Sequence, residues 1–114
     1  MSDLTIATLS RAMDGLHARQ AATAHNIANS GNVNFTPMRV TFEDALQAAL
    51  KSDAPLQAIS QLKSPAVHSA PQDGEMRLDL ELTLANETAS RYAMLTSIAD
   101  RNFQMQSLAF KGTP

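Results

Sequence analysis

The first apolar positions of the chain recur with a helical period. At about 100° per residue, Ile6, Leu9, Met13, Leu16, Ala24 and Ile27 fall in one stripe, while Arg11, Asp14, Ala18, Ala22, His25 and Asn29 fall on the far side. The pattern predicts a helix from Ser2 to about Asn29, capped by Ser2 or Asp3 and ended by Gly31. Such a helix is about 40 Å long at ~1.5 Å per residue. Gln20 interrupts the stripe, so the seam is not purely apolar and seeks a partner helix.

Past this helix the pattern changes three times. Asn32 to Arg39 is punctuated by Asn, Thr and Pro, reads as loop, and leads into Val40, Thr41 and Phe42. Thr41-Phe42-Glu43-Asp44 resembles a capping box with Asp in the Glu position, and Ala45, Leu46, Ala49 and Leu50 follow it as a short helix to about Lys51. From Pro55 to Gly74 no period is sustained; Leu56, Ile59 and Leu62 hint at one helical turn within a loop-rich insert. Then Met76, Leu78, Leu80, Leu82 and Leu84 alternate strictly with Arg77, Asp79, Glu81 and Thr83, the pattern of a half-buried strand.

From Leu84 onward the period is helical, with Leu84, Thr88, Tyr92, Leu95, Ala99, Phe103 and Phe110 on one face. The expected switch lies near Asp79 as an N-cap, leaving a short extended segment near 76–80. A second apolar flank, Met94, Ile98, Met105 and Leu108, sits roughly 90° or more around, so this helix needs cover on two sides. The expected fold is mainly α, with long N- and C-terminal helices pairing as a coiled-coil-like hairpin around a loop-rich middle. Its parts are an N-terminal helix over 1–30, a turn, short helix and insert over 31–75, and an extended lead-in with the C-terminal helix over 76–114.

Composition favours elongated helices over a globule. The 114 residues are 44% hydrophobic but include no Trp, one Tyr and four Phe, and much of the apolar share is Ala, which buries little area. The net charge of -2 is spread along the chain, so no basic stripe exists and nucleic acid is not an expected partner. Without Cys, disulfides and thiolate chemistry are excluded. No apolar run approaches the roughly 18 residues of a membrane span, and the first residues lack the basic and apolar regions of a cleaved signal.

Candidate chemistry is thin. Ser10, Asp14 and His17 share a helical neighbourhood but read as a solvated polar flank, since no pocket or oxyanion donor accompanies them. His17 and His25 differ in direction by about 80° on the wheel and lack further metal ligands. Glu75, Asp79 and Glu81 near Arg77 read as a charged, solvated edge. The expectation is therefore no enzyme, no cofactor and no metal.

What stands out is Ala24-His25-Asn26-Ile27-Ala28-Asn29, then Val40-Thr41-Phe42-Glu43-Asp44-Ala45-Leu46, then Ser90-Arg91-Tyr92-Ala93-Met94-Leu95 with Arg101-Asn102-Phe103 behind it. These segments resemble the axial proteins of the bacterial flagellar rod and hook, and most of all the proximal rod members of the FlgB type. That family carries an Ala-Asn-Asn-Ile-Ala-Asn-like helix end, a Thr-Pro-Gly-Tyr turn, a Val-x-Phe-Glu segment and an Arg-Tyr-x-x-Leu helix core. The likeness covers both ends and leaves about residues 51 to 73 unmatched. Asn32-Val33-Asn34-Phe35 stands in place of the family's turn; Asn34 substitutes for glycine in a left-handed conformation, and Phe35 keeps the aromatic without its hydroxyl.

The resemblance implies a structural subunit of the basal-body rod, exported unfolded through the flagellar type III apparatus without a cleaved signal. It would polymerise in the periplasm and transmit torque, beside other rod subunits and the basal-body base with its MS ring and export gate. Ile6, Leu9, Met13, Leu16, Ile27, Leu84, Tyr92, Leu95 and Phe103 would then form the assembly seam. Asn26, Ile27, Ala28, Asn29, Asn34, Phe35 and Phe42 would shape the joint between helix and turn. The isolated monomer is expected to be partly unfolded. The alternative is a small cytoplasmic helical adaptor or export chaperone that binds a partner helix.

Overall fold

The computed structural model of the chain describes residues 1–70 and 77–111. Helix α1 (Asp3–Ala28) begins where the Ser2 hydroxyl accepts the Thr5 N–H at 3.1 Å, which settles the cap on Ser2. It ends at Asn29 and not through Gly31. The Asn29 N–H reaches the His25 and Asn26 carbonyls, and its side-chain amide donates to the His25 carbonyl at 2.9 Å. The last turn is thereby closed without a left-handed glycine.

The following turn is built by Asn32. Its side-chain oxygen accepts the Asn34 N–H at 3.0 Å, and its carbonyl accepts the Phe35 N–H at 3.1 Å. Asn32 thus makes an Asx-type bond in this turn, its side-chain oxygen two residues before the amide it accepts from. Phe35 folds back onto His25, ring centroids 5.2 Å apart and edge to face.

Strand β1 (Met38–Thr41) pairs antiparallel with β2 (Ala66–Ser69), Met38 opposite Ser69 and Val40 opposite Val67. Between them lie α2 (Glu43–Leu50) and α3 (Pro55–Ser60). The capping box expected at Thr41 does not form: Thr41 closes β1, Phe42 is the cap residue without a side-chain bond, and the Glu43 carboxylate turns to Arg19. The insert expected to be loop-rich holds α3, opened by Pro55 in its first turn, and β2. All four residues of β2 are exposed, so no buried face writes a period-2 pattern into its sequence.

Helix α4 (Leu78–Lys111) starts at Leu78. Asp79 therefore lies in the first turn instead of at the cap, paired with Arg77 at 2.8 Å, and the Glu81 N–H donates to the Arg77 carbonyl at 3.1 Å. The alternating leucines from Leu78 to Leu84 are helical, not extended. On a helix an alternation scatters around the axis, and Leu78, Leu80 and Leu82 are all exposed accordingly. Met76, the first residue of that alternation, lies outside the described residues.

The molecule is mainly helical, with α1 and α4 packed antiparallel as a long hairpin. Asn26 meets Glu81 at one end, and the Met1 ammonium donates to Asn102 Oδ1 at 3.3 Å near the other. α1 carries α4 on one side and β1, α2 and α3 on another, giving a slab of 63 × 34 × 15 Å. The side of α1 expected to face solvent is thus partly covered: Gly15, Ala22 and Asn26 are buried. Among the described residues the hydrophobic core consists of Leu16, Ala22, Val40, Ala49 and Ile59, small for a chain of this length.

Candidate functional site

The Asn26 side chain occupies the joint between helix and hairpin and is 0% exposed. Its Oδ1 accepts the Met38 N–H at 2.9 Å, and its Nδ2 donates to the Met38 carbonyl at 2.9 Å. The amide therefore acts as one more rung against β1, satisfying both backbone groups of its first residue. The same Nδ2 donates to Glu81 Oε2 at 3.1 Å, while Glu81 Oε1 pairs with Arg39 at 2.6 Å. Glu81 is 1% exposed, which corrects its reading as part of a solvated edge. Three elements, α1, β1 and α4, meet in one fully partnered polar cluster.

A second joint lies about two turns earlier on α1. Arg19 grips Glu43 with both guanidinium arms, each at 2.7 Å, and also donates to the Val40 carbonyl at 2.7 Å. The guanidinium lies 4.9 Å from the centroid of the Phe42 ring. The ring also touches Gly15, where a Cβ would overlap Phe42 Cγ and both Cδ atoms. Gly15 is what lets the ring reach the helix backbone.

The hydrogen bonds from Arg19 hold the Glu43 carboxyl below the ordinary carboxylate range, against a partial burial that raises it. A carboxyl with a lower pKa folded than unfolded contributes stability above its unfolded pKa, and loses it as pH falls through the folded value. Acidification through and below the ordinary carboxylate range is thus expected to loosen the α1–α2 joint. The protection factor of the Leu46 amide, bonded to the Phe42 carbonyl at 2.9 Å, reports it. Glu43→Gln should flatten that dependence; an unchanged profile would assign it to other carboxylates. The carboxylate is half exposed, so the effect is small.

The predicted seam residues divide into two sets. Leu16 is buried, and Leu9, Met13, Ile27, Leu84, Tyr92 and Leu95 are partly buried within the single chain; Ile6 is exposed at its edge. Phe103 and Phe110, on the same line of α4, are 73% and 94% exposed. Because Asn102 stands level with Met1, residues 103 to 111 overhang the start of α1. Of the second flank, Met94, Ile98, Met105 and Leu108 are all exposed. Ala28 and Asn34 are exposed as well, and Phe35 and Phe42 are half-buried.

A groove of about 660 Å³ opens between α1, α2 and the segment leading into β2. Phe42, Leu46, Leu62 and Pro65 give it an apolar lining, and Asp14, Asp44, Arg11 and Lys63 bring charge to it. Arg11 is tied to the Ser60 carbonyl at 3.0 Å. Among the described residues Ser10, Asp14 and His17 form no hydrogen bond with one another; Asp14 turns to the groove and His17 lies 6.3 Å from the Tyr92 ring. No cluster of metal-ligating side chains occurs among the described residues, and no described helix is long and apolar enough to cross a membrane. Searches against family models, curated proteins and solved structures returned no match to the chain.

Gly15, Arg19 and Arg39 are site residues that no sequence pattern singled out, and Glu81 was read as solvated when it is buried. A glycine in mid-helix, with Ala18 and Ala22 one and two turns on, was the available signal for Gly15. Arg39 and Glu81 carried none, since their pairing spans the whole insert.

Proposed function

We propose that this chain is a structural subunit of the bacterial flagellar basal-body proximal rod, of the FlgB type, which assembles helically through α1 and α4. The observation that carries the reading is the uncovered apolar surface of α4. Met94, Ile98, Phe103, Met105, Leu108 and Phe110 lie open along one long helix, and a slab 15 Å thick has no interior to take them. Burial between subunits would supply the ordering energy that five buried apolar residues do not.

The motif residues fit the same reading. Asn26 and Phe42 set how the hairpin leaves the helix, so they hold a shape that neighbouring subunits meet. Other rod subunits and the basal-body base with its MS ring and export gate are the proposed partners, the periplasmic rod the proposed location, and type III export without a cleaved signal the proposed route. Torque would pass along the paired helices.

Recovery of the chain from purified basal bodies tests this directly. Met94→Asp, on an exposed position, should leave the monomer's helical content intact, remove the chain from basal bodies and abolish motility. Motile cells that carry this change, or a chain found solely in soluble cytosol, would overturn the reading in favour of a helical adaptor.

A further inference from the structure

We infer that the overhanging end of α4 seats in the groove between α1 and α2 of a second copy of this chain, with Phe103 and Phe110 as its anchors. The inference rests on the reading of the chain as a self-assembling subunit and names the contact. Phe103 and Phe110 are seven residues apart, two helical turns, and so point the same way. They continue the line of Thr88, Tyr92, Leu95 and Ala99, which are buried or half-buried in the α1–α4 hairpin. The overhang is therefore an established interface that runs on past the end of α1.

The groove offers what that line lacks. Its lining of Phe42, Leu46, Leu62 and Pro65 faces open space, and its volume of about 660 Å³ accommodates large side chains. Residues 101 to 111 include Arg101 and Lys111 and no acidic residue. Asp14 and Asp44 line the groove and enter no ion pair among the described residues; Arg11, tied to the Ser60 carbonyl, and Lys63 line it too, so its charges balance. Two aromatics on one line bury about 300–500 Å², less than the roughly 800 Å² per partner of a stable interface, and Met105 and Leu108 on the other flank stay open to a further neighbour. Overhang and groove are different patches of one chain, so the contact is head to tail and can repeat from copy to copy.

The absence of Cys from the sequence makes the test clean. Ala45→Cys places a thiol at the groove, and Gln106→Cys places one between the two phenylalanines. Mixed and oxidised, the two variants should form a disulfide-linked dimer at about ten times the yield of either alone. Phe103→Ala with Phe110→Ala in the Gln106→Cys chain should cut the mixed yield about tenfold or more, and Val33→Ala, at a distant exposed turn, should leave it unchanged. Equal linkage from Gln106→Cys alone would mean that overhangs pair with each other and would overturn the inference. A mixed yield no higher than the single ones overturns it too, with the groove open or filled by another partner. Basal bodies that contain the chain without this linkage refute the groove contact and leave the rod reading standing. Linkage in this pattern by a chain missing from basal bodies refutes the rod reading and upholds the contact.

Discussion

Asn26→Asp, which exchanges an amide for a carboxylate of the same size, is expected to lower the exchange protection of the β1 amides by about a hundredfold under conditions where the chain is folded. Two losses coincide. The Met38 carbonyl loses one of its two donors, keeping the Arg39 guanidinium at 3.0 Å, and a new carboxylate faces Glu81 Oε2, to which Nδ2 now donates at 3.1 Å. The lost hydrogen bond contributes about 0.5–1.5 kcal/mol, and a buried carboxylate added beside Glu81, where Arg39 is the one paired cation among the described residues, costs up to the about 3–5 kcal/mol of an uncompensated charge. Together these are a large share of the ~5–15 kcal/mol that holds an ordinary domain. Adding Glu81→Gln removes the like charge, so the double variant should recover much of the loss and lie well above the sum of the single effects. An Asn26→Asp chain as protected as the original would show that the cluster holds nothing together.

Gly15→Ala is expected to destabilise the chain although alanine is the better helix former by about 1 kcal/mol. The reason is Phe42. Its ring lies against the Gly15 backbone with the Arg19 guanidinium 4.9 Å from its centroid, so the new methyl overlaps the root of the ring and forces it to shift and give up those contacts. Overpacking of this kind costs about 1–3 kcal/mol, which outweighs the propensity gain. In a Phe42→Ala background the clash is gone, and the same Gly15→Ala change should stabilise by about 1 kcal/mol. Urea midpoints of the four chains would show the reversal of sign; a stabilising effect in both backgrounds would mean the ring does not rest on Gly15.

The two long helices were legible in the sequence because each carries an apolar stripe of four turns or more, a signal that repeats until it cannot be mistaken. The Ser2 cap was legible for a similar reason, being a local rule satisfied by neighbouring residues. The alternation from Leu78 to Leu84 misled because Leu78, Leu80 and Leu82 are exposed, so no buried face fixed the period. The strand β2 and the Arg39–Glu81 pair were illegible for a different reason. Each exists through partners more than twenty residues away, and nothing in its own neighbourhood announces them. Half of the site followed the same division. Asn26 was singled out as part of a motif, whereas its purpose, bridging Met38 and Glu81, is a tertiary fact.

The ties at the two ends of the α1–α4 hairpin have a mechanical consequence. Asn26 to Glu81 and Met1 to Asn102 act as two pins set far apart on a pair of parallel beams, and between them the helices meet through half-buried, mostly short side chains. A pull along the long axis would arrive at these pins as shear, and the buried one, with Arg39 bracing Glu81, is much the stiffer. Under load the hairpin should yield first where Met1 meets Asn102 and hold last at Asn26, which gives so thin a molecule a definite weak end and a definite strong one.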